Sequence, residues 1–167
     1  MKSVLLIAVF ASVAHAQGPS ATWQVCFAPS PDCSRLVVAQ IAKAAKTIRV
    51  QAYGFTDVAI AKALLDAKRR EVDVQVILDR SNRLKKKYTE ATFLVNEEIS
   101  TAVDEKHPIA HNKVIIIDDT TVITGSYNFT KHAQQNAENL IVLRSSELAA
   151  KYSANWKTHR AHSEKLE

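Results

Sequence analysis

Glycine, proline and cysteine are scarce in this chain of 167 residues, at three, four and two respectively. With so few backbone breakers and 47% apolar residues, a disordered or low-complexity chain is excluded and a folded globular one remains. The length suits one domain with a sizeable core and is too short for two comfortable ones. Two cysteines form no metal-binding cluster with histidine, and Cys26 and Cys33 are too far apart for a redox CxxC motif. The acidic residues form no obvious cluster either, so no metal site is expected. No apolar run approaches the roughly 20 residues that a bilayer-spanning helix needs.

The longest apolar run, Ser3 to Val13, follows a short basic start at Met1-Lys2 and precedes Ala14-His15-Ala16, a small-x-small pattern. This reads as a signal peptide over residues 1–16, removed after Ala16, with a retained membrane anchor as the other reading. Export places the mature chain, residues 17–167, in the periplasm or outside the cell. There an oxidising compartment joins Cys26 to Cys33 across a loop rich in turn formers. Without Lys2, 21 basic residues stand against 17 acidic, a formal charge of +4. That is weak evidence for a polyanionic partner by itself. The distribution says more, since Arg80, Arg83, Lys85, Lys86 and Lys87 fall together just after a predicted strand.

Periodicity predicts alternating strands and helices. Strands are expected over Thr22 to Ala28, Thr47 to Phe55, Val72 to Asp79, Lys113 to Asp118, Val122 to Ser126 and Asn139 to Leu143. Helices are expected over Ser34 to Lys46, Val58 to Arg70 with Asp57 as N-cap, Tyr88 to Ile99, and Ser145 to His159. Such alternation points to an α/β fold, an α-β-α sandwich around a mixed, mostly parallel sheet.

The stretch His111-Asn-Lys113-Val-Ile-Ile-Ile-Asp118-Asp119-Thr-Thr-Val-Ile-Thr-Gly125-Ser126-Tyr-Asn128 carries the chemistry. His111 and Lys113 share a strand face, and Asp118 has the opposite parity. A two-residue turn at Asp119-Thr120 sets Lys113 opposite Ser126 and His111 opposite Asn128. One face then collects an imidazole, an ammonium, a hydroxyl and a carboxamide, a set suited to a phosphate. A longer turn would shift this register. Gly125 either lets the backbone approach closely or occupies a strained position. His111 is the one member able to act as nucleophile or proton carrier near neutral pH.

His111-x-Lys113-x4-Asp118 followed by Gly125-Ser126-x-Asn128 resembles the HxKxxxxD motif of the phospholipase D superfamily, and especially its small bacterial single-motif endonucleases. The segments around Gln51 to Thr56 and Val72 to Asp79 are also similar to that subgroup. The resemblance implies a metal-independent phosphodiesterase with no cofactor. His111 would form a phosphohistidine, Lys113, Asn128 and Ser126 would hold the non-bridging oxygens, Asp118 would fix the hairpin, and Glu138 would orient the nucleophile. The remaining histidines have no lysine two positions on, so the chain holds a single motif. The mechanism needs two, which implies a homodimer sharing its site across a two-fold axis. The implied substrate is DNA, with RNA as a further candidate, cut with little sequence preference. The basic run from Arg80 to Lys87 would contact phosphates, and no stable membrane association would remain after cleavage. The alternatives are a phosphatidyl hydrolase with the same chemistry and an idle nucleic-acid-binding protein.

Overall fold

The computed structural model describes residues 21–83 and 89–167. The expected signal peptide, Lys85, Lys86 and Lys87, and the expected helix start at Tyr88 lie outside them. Eight strands form one sheet: β1 (Thr22–Ala28), β2 (Thr47–Ala52), β3 (Asp73–Asp79), β4 (Ser100–Asp104), β5 (Lys113–Ile117), β6 (Thr121–Gly125), β7 (Glu138–Arg144) and β8 (Glu164–Lys165). The helices are α1 (Asp32–Ile41), α2 (Val58–Arg69), α3 (Glu90–Asn96) and α4 (Ser146–Arg160). The strands lie in the order β1-β7-β6-β5-β2-β3-β4-β8.

The sheet is mixed, but the expected parallel majority is not found. Only β2–β3 and β3–β4 run parallel, and the other five pairings are antiparallel. The reason is connection length. Helices separate β2, β3 and β4 and allow parallel crossovers, whereas β5 and β6 are joined by a tight turn that forces reversal. Two strands had no clear sequence signal. β4 is only five residues long, and β8 only two.

Helices cover both faces. On one side α1, α2 and α3 pack Val37, Ile41, Ile60, Leu64 and Leu94 against Ile48, Val50, Ile115 and Ile123 of the sheet. On the other, α4 sets Trp156 and Ala149 on Ile77, Val114, Ile116 and Val122. Trp156 is fixed there by its Nε1–H, which donates to the Val50 carbonyl at 3.0 Å. Covered on both sides, β5 is buried at all five positions, which explains its unbroken Val-Ile-Ile-Ile run. Asp57 caps α2 by accepting from the Ala59 and Ile60 amides, at 2.9 and 3.2 Å. At the sheet edge, the Cys26–Cys33 disulfide ties β1 to the first turn of α1. Trp23, Val25 and Phe27 on β1 stay exposed, because α4 packs over β2, β4, β5 and β6.

Candidate active site

The turn between β5 and β6 is one residue longer than the two-residue loop expected. Ile117 pairs with Thr121 and Val114 with Thr124, leaving Asp118, Asp119 and Thr120 in the loop. Asp118 and Asp119 both adopt left-handed backbone, at φ of 52° and 51°, a conformation that aspartate tolerates better than most residues. The shift moves every cross-strand partner by one. Continued, the register sets Lys113 opposite Gly125 rather than Ser126, and His111 precedes the strand instead of lying in it.

His111 and Asn128 are instead positioned from the end of β2. The exposed His111 imidazole lies against the Tyr53 ring, with centroids 4.7 Å apart and planes at 58°. Tyr53 is held from both sides of its peptide. Its amide donates to the Asn112 carbonyl at 2.9 Å, and its carbonyl accepts from the buried Asn82 side chain at 3.0 Å. The chain leaving β6 crosses to the next residues. Phe129 bridges Phe55, and its carbonyl accepts from the Thr56 and Asp57 amides, both at 3.0 Å. This crossing lays Asn128 on Gly54. A Cβ there would come within 2.9 Å of the Thr130 methyl and 3.4 Å of Asn128 Oδ1, so the close approach needs glycine. Asn128 Oδ1 is buried without a hydrogen-bond partner. Gly125 is required for a different reason. Its φ is +150°, and a Cβ would stand 2.3 Å from the Asn139 carbonyl oxygen.

Lys113 lies beneath this surface, 7% exposed. Its ammonium donates to the His111 carbonyl at 2.7 Å and sits 5.2 Å from the Tyr53 ring centroid. Burial lowers the lysine pKa from its ordinary value, and the negative charge of Glu138 opposes that shift. Glu138 accepts from the Ser126 hydroxyl at 2.5 Å and from the Asn136 side chain at 3.1 Å. The same hydroxyl accepts the Asn139 amide at 3.1 Å. Ser126 thus has its partners inside the protein, and Glu138 is bonded to Ser126 and Asn136 rather than to His111.

Asp118 is at the far end of β5, about 16 Å from Lys113 at a strand's rise per residue. Its carboxylate accepts from three amides of the segment entering β2: Ala45 at 2.9 Å, Lys46 at 2.8 Å and Thr47 at 2.8 Å. Placed there, it makes no contact with the residues around His111 in this chain. Of the basic run, Arg80 is exposed at the end of β3, in the short 3-10 turn Arg80–Asn82. Arg83, expected at substrate phosphates, is paired with carboxylates instead, with Glu105 at 2.7 Å and Glu164 at 3.3 Å.

Sequence reasoning missed Tyr53, Gly54, Asp79 and Asn82. Buried Asp79 accepts the Ser81 amide at 2.9 Å and, through its other oxygen, the Ala110 amide at 2.8 Å, one residue before His111. Burial alone would raise its pKa, but the bonds from Ser81 and Ala110 outweigh that and hold it below the ordinary value. The visible signal was an acid ending the otherwise apolar run Val-Ile-Leu-Asp79. Also unforeseen is a group around buried Asp104, with His107, His159 and His162. Two of its members come from the chain end and two from β4 and the turn after it, so local spacing could not reveal it.

The chain is similar to known proteins in sequence and in fold. The family described as "Cardiolipin synthase, PLD-like domain" matches residues 37–160. Phospholipase D of Rickettsia conorii is 46% identical over 137 residues, covering 81% of this chain and 68% of that protein. The crystal structure of Nuc from Salmonella typhimurium, a phospholipase D family member, superposes with a TM-score of 0.81 at 34% identity, over 88% of this chain and 99% of that one. NucT from Helicobacter pylori shares the fold, with a TM-score of 0.76 at 21% identity, over 88% and 100% of the two chains. With most of its length matched by the family and by these relatives, the chain belongs to the small bacterial subgroup of the phospholipase D superfamily and is a hydrolase of that superfamily.

Proposed function

We propose that the protein is an exported, metal-independent phosphodiesterase that cuts DNA with little sequence preference, and that it works as a homodimer. The observation that carries this reading is the pairing of an exposed His111 imidazole with the buried Lys113 ammonium directly beneath its backbone. A nucleophile is presented outward, and a fixed positive charge sits where phosphate oxygens would gather.

In the reaction, His111 attacks phosphorus while the bond to the leaving oxygen breaks, and His111 of a second copy gives that oxygen its proton. Water then attacks the phosphohistidine and returns a proton to the second histidine, releasing a phosphomonoester. Lys113 and the Asn128 amide group stabilise the charge on the non-bridging oxygens. Ser126 acts through Glu138, whose charge keeps the Lys113 ammonium favourable. The basic excess of the chain favours a polyanionic substrate, and exposed Arg80 supplies positive charge at the end of β3.

A second reading, hydrolysis of a phosphatidyl lipid, is favoured by one observation. Ile109, two residues before His111, is 60% exposed and offers an apolar contact to a membrane surface. The Rickettsia conorii relative also carries the name phospholipase D.

Plasmid, single-stranded DNA, RNA and phosphatidylcholine vesicles, each incubated with the protein in EDTA, separate the two readings. Circular dichroism in the same buffer checks that the chain stays folded. Nucleic-acid cleavage with a histidine-linked phosphate after acid-free quenching supports the nuclease. Lipid turnover with intact nucleic acids overturns it in favour of the second reading. A folded chain inert towards all four leaves nucleic-acid binding without catalysis.

A further inference from the structure

Asp104 ends β4 fully buried. Its Oδ1 accepts the amides of Lys106 and His107, at 3.1 and 3.4 Å. Its Oδ2 faces three imidazole nitrogens: His107 Nδ1 at 2.9 Å, His159 Nδ1 at 2.7 Å and His162 Nε2 at 3.3 Å. The three rings stand 4.9 to 5.4 Å apart between centroids. One candidate ligand atom from each of the four residues lies within 4.8 Å of the others.

Hydrogen bonding accounts for two of the three rings, His159 at 2.7 Å and His107, which reaches Oδ1 at 3.1 Å as well as Oδ2 at 2.9 Å. A carboxylate oxygen has about two acceptor sites, and three nitrogens point at one. The third has no bond, since His162 Nε2 is buried without a hydrogen-bond partner. Were all three rings protonated, three positive charges would share one carboxylate in a partly buried space. In the neutral tautomer that carries its proton on the far ring nitrogen, each facing nitrogen offers a lone pair to a common centre.

We infer that Asp104, His107, His159 and His162 form a structural divalent-cation site of the zinc type, one carboxylate oxygen and three imidazole nitrogens in a closed four-ligand shell. Three nitrogens with one oxygen suit zinc and its borderline neighbours, whereas magnesium and calcium take oxygen ligands. The ligands come as two pairs, each three residues apart, Asp104 with His107 and His159 with His162. His159 is in the last turn of α4, where the helix's carbonyl end favours a cation. Arg83 ties the same two segments through Glu105 and Glu164, so the ion would close a junction the fold already brings together. The four ligands include neither His111 nor Lys113, and the site does not depend on the nuclease reading.

The test uses binding rather than turnover. The chain is stripped with a chelator, returned to metal-free buffer and titrated with Zn2+, with Mg2+ as control and Co2+ as a spectroscopic probe. One Zn2+ per chain, a raised thermal midpoint, no Mg2+ response and the visible bands of tetrahedral Co2+ are expected. His162→Ala and His107→Ala should each weaken Zn2+ binding by roughly 100-fold or more, while His111→Ala should leave it unchanged. Should either ligand variant fail to fold, the Co2+ spectrum of the unaltered chain still decides. Absence of Zn2+ binding, Co2+ bands that are not tetrahedral, binding that survives both ligand variants, or binding lost in His111→Ala would each overturn the site.

Discussion

Asp79 and Asp104 are register partners at the ends of the parallel strands β3 and β4, and each buried carboxylate gathers a segment from outside its own strand. Asp79 takes the Ala110 amide and so fixes the chain entering His111, while Asp104 draws in three histidines, two of them from the end of the chain. Two acids side by side thus organise the approach to His111 and the junction that gathers His159 and His162.

Asp79 is accordingly a positioning residue for His111. Asp79→Ala removes the acceptor for the Ala110 and Ser81 amides and should cost about 2 to 4 kcal/mol of stability, as charged hydrogen bonds are lost at a buried site. It should also lower kcat far more than it raises KM, because the imidazole loses its fixed approach without losing phosphate contacts. Asp79→Asn keeps a carbonyl acceptor and should recover part of kcat. Steady-state kinetics on all three proteins, with thermal unfolding alongside, checks this. Equal losses in the two variants, or a change confined to stability, would make Asp79 merely structural.

Asp118 should matter to stability and little to the chemical step. Burial works to raise its pKa, but the amides of Thr47, Ala45 and Lys46 outweigh it and hold it below the ordinary 3.8. Because the folded-state value is depressed, the contribution is complete above the unfolded value and is lost as pH falls through it towards the folded one. Asp118→Asn should therefore unfold more easily at neutral pH, by about 2 to 4 kcal/mol, and its deficit should shrink below pH 3.8. Denaturant melts across the acid range measure both. A deficit independent of pH would mean that the ionised carboxylate is not what holds the segment entering β2.

These two aspartates also mark how far the sequence could be read. His111, Lys113 and Asp118 stand at recognisable spacing, but Asp118 is set apart by the length of β5 rather than by strand parity, since His111 and Asp118 both lie outside that strand. The unbroken apolar run of β5 announced a buried strand. The parity argument failed where it depended on the turn, because Asp118 can hold left-handed backbone and thereby lengthens the loop by one residue. It also assumed that the face continued past Gly125, whereas the chain leaves the sheet there and crosses to Gly54. Tyr53, Asp79 and Asn82 were hidden for a related reason. Their roles come from backbone bonds across β2, β3 and the loop before His111, which no local pattern encodes.

Lys113 should set the alkaline limit of activity. Burial lowers its pKa from 10.5, and the Glu138 charge holds it up. As pH rises, the buried ammonium loses its proton earlier than a surface lysine would, and charge stabilisation on the phosphate is lost with it. The alkaline limb of kcat should then fall below pH 10.5, and Glu138→Gln should move it to lower pH still. A limb that stays in place in Glu138→Gln would remove Glu138 from this role.

His111 on an exposed surface, with no second motif in the chain, makes the mixing of chains decisive. If two His111 side chains share each site, a heterodimer of intact and His111→Ala chains has one nucleophile and no proton donor, and is inactive. Random re-association at equal amounts then leaves only half of the intact chains in competent pairs, so their activity should fall to about one half. The fall should deepen as the variant is added in excess, while analytical ultracentrifugation reports unchanged dimer content. If each chain worked alone, the inactive variant would dilute nothing and the activity per intact chain would stay constant at every ratio. The shape of that titration therefore counts the histidines in a working site.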